Sequence, residues 1–408
     1  MSSEDARAQQ LVASPTFKAA VAAFDRDYDR FVRELIFLTE IPAPPFKEQL
    51  RAEAYAKLLR EIGLEDVAID PEGNVLGLWR GRPGGTAPLL AVAAHLDTVF
   101  PEGTDVRVKR SGTRLSAPGI GDDTSGLAFL LAAIRAMKAA RVETPGDILF
   151  IGNVGEEGPG DMRGIRYLFG QGPWKGRIKR FITVDGSNND LITNGGLGSK
   201  RYRVTFKGPG GHSWGAFGQV SPAFAMGNAM AKLGKVVVPR QPKVSYNVGV
   251  VSGGTSVNSI PFEVAMEVDL RSISPEELAK IDGQFLKIVA EAVTEENAAR
   301  ATTFGKITAD VKLIGERPSG VTSPDTAELR QVIATMKVFD KVPVWNVGST
   351  DANLPISLGI PAFAMARGSA GREGRSHSLD EWTEVEKTAV VKDFGLALAV
   401  LLSVAETP

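Results

Sequence analysis

The sequence predicts an α/β fold in which a largely parallel central sheet is interrupted by an inserted βαββαβ unit. Helical and strand-like segments alternate up to about residue 200, the order changes in the middle of the chain, and the alternation returns after Gly315. Alternating elements are typical of a parallel sheet, and βαββαβ is the order of the split ferredoxin-like unit. We therefore predict one domain from 1–199 and 315–408 and an inserted domain from 200–314.

The first domain begins with helices and buried strands. Apolar residues in 124–140 recur with the spacing of one helix face, which indicates an amphipathic helix. Continuous apolar runs such as 89–94 indicate strands buried on both faces. The predicted helices are 17–40, 46–62 and 124–140, and the predicted strands are 89–94, 147–154 and 180–184.

The middle of the chain has a different order of elements. Ser221 and Ser274 each precede a proline, and this pair of residues marks the N-cap and first residue of a helix. The predicted elements are, in order, strand 201–207, helix 221–233, strands 244–251 and 262–271, helix 274–299 and strand 306–314.

The last part of the chain returns to the α/β pattern. We predict a helix at 326–338, strands at 342–347 and 362–366, and a final helix from Val385, opened by a capping box from Thr383 to Glu386. The apolar run 396–404 is shorter than the ~18–20 residues that cross a bilayer, so we expect a buried helix face there.

The composition narrows the possible partners and compartments. Lys and Arg number 47 against 48 Asp and Glu, so the net charge of −1 predicts binding to neither nucleic acid nor an anionic membrane. A small molecule is the expected partner. The polar N-terminal segment MSSEDARAQQ does not show the basic and apolar regions of a signal peptide, and we expect a cytoplasmic protein.

Histidine is scarce, and each copy lies in a segment that also carries glycine or acidic residues. The three are His95 in HLDTV, His212 in GPGGHSW and His377 in GRSHSLDEW. The sequence has no cysteine, so disulfides, thiolate nucleophiles and cysteine-ligated metals are excluded. A bound metal would have imidazole and carboxylate ligands, which suit zinc, manganese or cobalt.

Acidic residues follow the predicted strands, at the positions where α/β sheets assemble their sites. His95 and Asp97 share one face at the end of strand 89–94, because side chains alternate along a strand. Other acids lie in glycine-bounded turns or at a strand end: Asp122-Asp123, Glu156-Glu157 and Asp185.

Each of these residues also has an ordinary structural interpretation. Asp122 and Asp123 could cap the following helix, adjacent glutamates are usually solvated surface, and a loop histidine such as His377 is usually solvated. An HxD pair is weak by itself. Five segments that end in ligand-type residues at one sheet edge nevertheless favour a metal site.

Together the motifs HLDTV, GDDTSG, GEEGPG, VDGS and GRSHSLDEW resemble the M20 family of metallopeptidases, and the resemblance covers nearly the whole chain. It implies a zinc-peptidase-type catalytic domain, with the inserted unit as a lid and dimerisation domain, and hence a homodimer. It also implies two divalent metal ions per chain, with Zn²⁺ as the expected ion and Co²⁺ or Mn²⁺ as alternatives. By motif, His95 and Asp185 would bind one ion, Glu157 and His377 the other, and Asp122 would bridge both.

The resemblance implies roles for five further residues. Glu156 would be the general base, and Asp97 would hold the ring of the first histidine. In the inserted domain, His212 would stabilise the oxyanion, while Asn258 and Arg271 would hold a substrate carboxylate. His212 could instead be a surface turn residue, and Arg271 a strand-surface ion pair. The GPGG segment is not a phosphate loop, because no Lys-Ser/Thr follows it.

The implied reaction is hydrolysis of an amide bond. Asp185 in a VDG context resembles the tripeptidases, which favours a di-/tripeptide aminopeptidase acting on short peptides. The alternatives are an N-acyl-amino-acid deacylase or carboxypeptidase of the same family and, outside enzymes, a catalytically silent relative that binds peptides. Thr124-Ser125 and GEEGPGDMRG depart from the commoner family pattern, which weakens the subfamily assignment but removes neither a metal ligand nor the base.

Overall fold

The chain folds into two compact units in a computed structural model that describes residues 2–186, 188–367 and 372–407. The first unit comprises Met1–Gly196 and Val321–Pro408, and the second comprises Leu197–Gly320. In the sequence, the second unit is therefore an insertion into the first, and it contains the segment 200–314.

Helices and strands alternate through most of the chain. The helices are α1 (Ser3–Ala13), α2 (Pro15–Thr39), α3 (Gln49–Ile62), α4 (Thr124–Ala139), α5 (Arg163–Gly170), α6 (Pro222–Leu233), α7 (Pro275–Ala299), α8 (Ala327–Val338), α9 (Asn353–Ser357) and α10 (Lys387–Ala405). The strands are β1 (Glu65–Ile69), β2 (Val75–Trp79), β3 (Leu90–His95), β4 (Lys109–Ser111), β5 (Arg114–Ser116), β6 (Ile148–Asn153), β7 (Arg180–Gly186), β8 (Leu191–Gly196), β9 (Gly198–Lys207), β10 (Gly211–His212), β11 (Val244–Gly253), β12 (Ser259–Ile260), β13 (Glu263–Ser272), β14 (Thr308–Arg317), β15 (Gly320–Val321), β16 (Val344–Gly348), β17 (Ala362–Ala366), β18 (Glu373–Gly374) and β19 (Trp382–Glu384). Every predicted helix and strand is present, with ends shifted by a few residues.

The first unit is built on a mixed sheet whose centre is parallel. Its strand order is β1-β2-β6-β3-β7-β17-β8-β15, and β16 pairs with β8. The four central strands β6, β3, β7 and β17 run parallel to one another, whereas β1 and β2 are antiparallel additions at one edge. The predicted α/β fold with a largely parallel sheet is confirmed.

Helix α4 is held against this sheet by its apolar face and packs on α2 and β3. Burying one such aliphatic side chain contributes about 1.5–3 kcal/mol relative to leaving it exposed. The start of α4, directly after Asp123, is therefore fixed beside the ends of the central strands. The predicted apolar stripe is 0% exposed at every position: Leu127, Leu130, Leu131, Ile134 and Met137.

The last helix, α10, lies in the interior of the first unit. It is long and apolar enough to cross a membrane by length and composition, but 78% of its most apolar stretch is buried within the protein. It packs against α2 and α8, and Leu398 and Leu401 are 0% exposed. The prediction that run 396–404 forms a buried helix face is confirmed.

The predicted start of α10 is wrong in detail. Thr383 does not belong to a capping box, because it lies in β19 and pairs with Leu115 of β5. Glu386 is itself the N-cap, and its carboxylate accepts hydrogen bonds from the backbone N–H groups of Thr388 and Ala389. Strand pairing therefore displaces the helix start beyond the predicted cap.

The second unit has the predicted order β9-α6-β11-β13-α7-β14. Its main strands form an antiparallel sheet in the order β11-β13-β9-β14, and α6 and α7 pack against each other and against β9 and β13. Pro222 and Pro275 open the two helices, and the Ser274 hydroxyl accepts from the N–H of Glu277. Ser221 occupies the N-cap position of α6 without that bond. The predicted ferredoxin-like unit is confirmed.

Candidate active site

The parallel strands β3, β6 and β7 end at the same edge of the sheet. His95, the last residue of β3, pairs with Asn153, the last residue of β6. The chain continues from Asn153 into the turn that carries Glu156 and Glu157, and Asp185 lies at the end of the adjacent strand β7. Parallel pairing therefore brings ligand-type residues from three strands to one edge.

His95, Asp122 and Asp185 form the more buried part of the site, which we name the inner group. Nε2 of His95 lies 3.0 Å from Oδ1 of Asp122 and 4.0 Å from Oδ1 of Asp185. Its side chain is 1% exposed, and its Nδ1 lies 2.9 Å from the carbonyl oxygen of Asp97. A carbonyl partner favours a proton on Nδ1, which leaves Nε2 available to a cation.

Glu157 and His377 form the second part, which we name the outer group. Nε2 of His377 lies 2.9 Å from Oε1 of Glu157 and 3.4 Å from Oδ2 of Asp122. The His377 side chain is 54% exposed, and its backbone is in the left-handed region with φ of 66°. Each carboxylate oxygen of Asp122 thus faces a different histidine. This is the arrangement that a carboxylate needs to bridge two metal ions.

Asp97 holds the site in a different way from the one predicted. Its carbonyl oxygen bonds to the ring of His95, while its nearest carboxylate oxygen is 3.7 Å from that nitrogen. The buried carboxylate accepts hydrogen bonds from the backbone N–H groups of Glu156 at 3.1 Å and Glu157 at 2.8 Å. These two donors, in a buried turn, need an acceptor, and Asp97 therefore fixes the turn that presents both glutamates.

The donor atoms of both groups suit divalent metal ions. Zinc binds histidine nitrogen and carboxylate oxygen at ~2.0–2.2 Å, so two of its ligand atoms lie ~3–4 Å apart. The separations of 2.9–4.0 Å within the inner and outer groups match this requirement. Three sets of ligand atoms each lie within 4.8 Å of one another: His95, Glu156 and Glu157; His95, Asp123 and Asp185; and Asp122, Glu157 and His377.

Glu381, which no sequence pattern singled out, holds the turn that presents Asp122. Its carboxylate is 1% exposed and accepts from the N–H groups of Gly119, Gly121 and Asp122 at 3.0, 2.8 and 2.7 Å. A Cβ at Gly121 would lie 2.8 Å from this carboxylate, so a larger residue there would displace Glu381 from its hydrogen bonds. The sheet β18-β19-β5-β4, also not predicted, joins the two segments.

Arg367 is a second residue that the sequence did not reveal. It follows β17, the strand beside β7, and is 5% exposed. Its guanidinium donates to Asp123 at 2.8 Å, to Asp122 at 3.1 Å and to the carboxylate of Asp185. The sequence offered one indication of its position, since the arginine directly follows a buried strand. Arginines at the solvent-exposed ends of strands are also common, so this pattern did not identify the residue.

Burial and neighbouring charges shift the pKa values of the site. Burial raises the pKa of Asp185 to about 6 and that of Glu157 to about 7. Burial also acts to raise the pKa of Asp122, but Arg367 and the two histidines outweigh it and hold that pKa well below its usual range. Hydrogen bonds to Asp122 and Glu157 raise the pKa of His377 to about 10. Asp122 is therefore ionised at neutral pH.

Two of the predicted substrate residues lie together in the second unit. β10, which ends at His212, pairs with β12, and the N–H of Ser213 donates to the carbonyl of Asn258 at 3.0 Å. Nδ1 of His212 accepts from the N–H groups of Trp214 at 3.2 Å and Gly215 at 3.3 Å. The neutral ring therefore carries its proton on the exposed Nε2, where it can be donated.

Arg271 lies apart from these two residues. Strand β13 begins at Glu263, shortly after Asn258 in the chain. Arg271 lies eight residues further along this strand, which corresponds to roughly 27 Å of extended chain. Its Nε donates to Asp269 at 2.6 Å. The structure thus shows the strand-surface ion pair that was one of the two interpretations of Arg271, and it does not bring Arg271 to His212 within this unit.

Comparison with known proteins identifies the family. The profile of Peptidase family M20/M25/M40 matches residues 91–406. The chain belongs to this family, so the prediction from the motifs is confirmed, and with it the class of enzyme, a hydrolase of the metallopeptidase type.

Individual relatives are distant. The chain is 29% identical over 242 residues to succinyl-diaminopimelate desuccinylase of Methylibium petroleiphilum, which covers 55% of this chain and only 61% of that relative. Aminopeptidase PepT of Bacillus cereus superposes with a TM-score of 0.74 at 21% identity, covering 92% of this chain and 98% of PepT. The YXEP protein of Bacillus subtilis, a dinuclear metal binding peptidase of the M20 family, superposes with a TM-score of 0.66 at 20% identity, covering 93% and 99%. The two structures establish a shared fold.

Proposed function

We propose that the protein uses two divalent metal ions, with Zn²⁺ as the expected ion, to hydrolyse the peptide bond of short peptides. In this proposal it acts as a di-/tripeptide aminopeptidase. The observation that carries this proposal is the position of Asp122, whose two carboxylate oxygens face His95 and His377. A carboxylate placed in this way can hold two ions ~3.5–4 Å apart, the spacing of two-metal hydrolases. Asp185 and Glu157 complete the two groups.

Glu156 is the proposed general base. Bound ions would acidify a water molecule and polarise the scissile carbonyl. Glu156 would take the proton of the attacking water and later deliver it to the leaving amine. Its support is positional: it is 5% exposed, Asp97 holds its backbone N–H, and its carboxylate lies with His95 and Glu157 in one set of potential ligand atoms.

His212 is the proposed oxyanion donor from the second unit. Its support is the exposed Nε2–H that follows from the two backbone hydrogen bonds on Nδ1. Such a donor is worth about 3 kcal/mol of transition-state stabilisation. Asn258, beside it, is proposed to contact the substrate, and Arg271 is proposed to bind a substrate carboxylate in exchange for Asp269.

We also propose a homodimer through the second unit. Its edge strand β11 exposes Val250 at 45% and Val251 at 54%, and an edge strand with exposed apolar residues is a surface for pairing. Sedimentation velocity should show a dimer, and a fully active monomer would contradict the proposal.

The second candidate activity is removal of an N-acyl group from an amino acid. The similarity to a desuccinylase, at 29% identity, favours it. The two activities differ in one requirement, because an aminopeptidase needs a free α-amine on its substrate and a deacylase acts on a blocked one.

A panel of di- and tripeptides beside their N-acetyl and N-succinyl counterparts separates these activities. We expect hydrolysis of the free peptides and its loss on chelation, with recovery on adding Zn²⁺. Hydrolysis of the blocked compounds alone would replace the aminopeptidase with the deacylase. Fewer than one ion per chain after growth with ample zinc, together with no hydrolysis, would support a silent peptide-binding relative.

Glu156→Gln tests the mechanism. Loss of a general base costs ~10²–10⁴-fold in rate, and the metal ligands are unchanged, so we expect metal content to stay at two ions per chain. Glu102→Gln is the control, because that carboxylate is 71% exposed on the surface. A fully active Glu156→Gln protein would show that the mechanism is wrong.

A further inference from the structure

Arg367 places a buried positive charge inside the cluster of acids. The strand that delivers it, β17, runs parallel to β7, and the N–H of Arg367 donates to the carbonyl of Gly186 at 2.8 Å. Arg367 therefore reaches the same sheet edge as Asp185. Within the described residues, its side chain donates to four carboxylates: Asp122, Asp123, Asp185 and Glu373.

The contacts of Arg367 fall on the inner group. Its Nη2 bonds to Oδ1 of Asp122 and to Oδ1 of Asp185, which are the two oxygens nearest to Nε2 of His95. The outer group uses the other oxygen of Asp122, Oδ2, which faces His377. An ion held by the inner group would therefore use the same oxygens that accept hydrogen bonds from the guanidinium.

The contacts of Arg367 with Asp122 and Asp185 have opposite effects on the metal-free and on the metal-bound protein. In the metal-free protein, Arg367 offsets buried carboxylate charges that would otherwise repel one another at high cost. The same fixed cation would repel an ion held by the inner group, and it already occupies lone pairs of Asp122 and Asp185. An ion held by Glu157 and His377 would face the other oxygen of Asp122, which Arg367 does not contact, and would be affected less.

We propose that Arg367 is a positioning residue that holds the inner group together in the metal-free protein and makes its ion the more weakly bound of the two. The inference rests on the proposed dinuclear site. It predicts that at limiting metal the chain holds one ion, on Asp122, Glu157 and His377, and that binding of the ion on His95, Asp122 and Asp185 controls the active fraction.

The test is titration of the chelator-treated full chain with Zn²⁺ and with Mn²⁺ by calorimetry, together with thermal unfolding of the same metal-free protein. The wild type should bind two ions in two steps. Arg367→Gln should tighten the weaker step by ~10–100-fold, as large a change as residues behind metal ligands cause but opposite in sign, because a repelling charge is removed. The same substitution should lower the unfolding midpoint of the metal-free protein. Arg367→Lys keeps the charge and should leave the weaker step close to that of the wild type.

Arg180→Gln is the matched control. Arg180 is 2% exposed at the opposite end of β7, where it donates to the carbonyl of Val404 at 2.7 Å and pairs with Glu328 at 3.3 Å. Its loss should lower the unfolding midpoint without changing either metal step. In a His377→Ala background, which disables the outer group, Arg367→Gln should tighten the step that remains.

The outcomes separate the inference from the proposed function. A chain that binds no divalent metal overturns both. If the protein binds two ions but Arg367→Gln leaves the affinity of both steps unchanged or weakens it, only the inference is overturned. The same holds if Arg367→Lys changes the affinities as Arg367→Gln does. If Arg367→Gln does not fold without metal, loss of each ion from the loaded protein to a competing chelator gives the same comparison.

Discussion

The inner and outer groups contain the same kinds of donor, yet the protein holds them in different ways. In the inner group, His95 and Asp185 lie at the ends of paired parallel strands, and the His95 side chain is 1% exposed. In the outer group, His377 lies in a turn with positive φ, and its side chain is 54% exposed. A strand end is fixed by the hydrogen bonds of the whole sheet, whereas a turn residue is fixed by a few local contacts.

This difference indicates that the inner group belongs to the folding core, whereas the outer group combines the buried Glu157 with His377, which reaches it from the surface. Asp122 belongs to both, because it faces each histidine with one oxygen. Glu381 supports it from behind through three backbone hydrogen bonds. Asp122, the two histidines, Glu381 and the pH each offer a separate test of this difference between the two groups.

The largest effect is expected for Asp122→Asn. Residues behind a metal ligand already change affinity or activity by ~10–100-fold, so loss of the proposed shared ligand should lower hydrolysis by at least ~100-fold. Metal content measured by mass spectrometry should fall below two ions per chain. The control Asp105→Asn changes a carboxylate that is 52% exposed. Two retained ions in Asp122→Asn would show that the groups are independent.

His95→Ala and His377→Ala should separate the two groups by stability. Removing His95, whose side chain is 1% exposed, leaves a buried cavity and takes one of three partners from Asp122, a change that costs about 2–5 kcal/mol. Removing the exposed His377 should cost only about 0–1 kcal/mol. Urea unfolding of both variants in chelator measures the difference. Equal losses would contradict the distinction between a buried and an exposed histidine.

Glu381→Gln tests the support of the shared ligand. The amide retains one acceptor oxygen and turns an N–H donor toward backbone donors, so we expect a loss of about 2 kcal/mol in the free energy of unfolding. Metal affinity, measured by chelator competition, should fall ~10-fold because Asp122 is no longer held in place. Glu384→Gln, a nearby carboxylate that pairs with the half-exposed Arg114, should change neither. An unchanged metal affinity in Glu381→Gln would remove its positioning role.

The smallest effect is expected from pH. In the folded, metal-free protein, hydrogen bonds to Asp122 and Glu157 raise the pKa of His377 from 6.5 to about 10. Its stabilising contribution is therefore complete below pH 6.5 and lost as the pH rises through 10. Burial raises the pKa of Glu157 to about 7, so its own titration is largely complete above that value. Between pH 7 and 10, the unfolding midpoint should fall more steeply for the wild type than for His377→Gln, and parallel curves would contradict this.

The parts of the site that the sequence predicted are those encoded locally. An apolar run predicts a buried strand, and the residue that follows it must lie at the sheet edge, as for His95 and Asp185. The helix after Asp123 was evident from its apolar spacing. The family resemblance then supplied the metal and the reaction, which spacing alone did not.

The parts that the sequence did not predict depend on distant pairings. Arg367 contacts Asp122 across 245 residues, and Glu381 contacts Gly121 across 260 residues. Thr383 matched a helix-capping pattern, but its pairing with β5 placed it in a strand. Local patterns carry no information about such neighbours.

The α/β architecture with its inserted unit and the residues proposed to bind metal were predictable from the sequence alone, because strand burial and donor chemistry are local properties. The orientations of those side chains and their contacts with one another depend on the tertiary structure. It turned the Asp97 carboxylate toward the backbone of Glu156 and Glu157, set the two oxygens of Asp122 toward different histidines, and placed Arg367 among the inner acids. These are matters of orientation and charge between segments far apart in the chain, and they are fixed only when the sheet has brought the segments together.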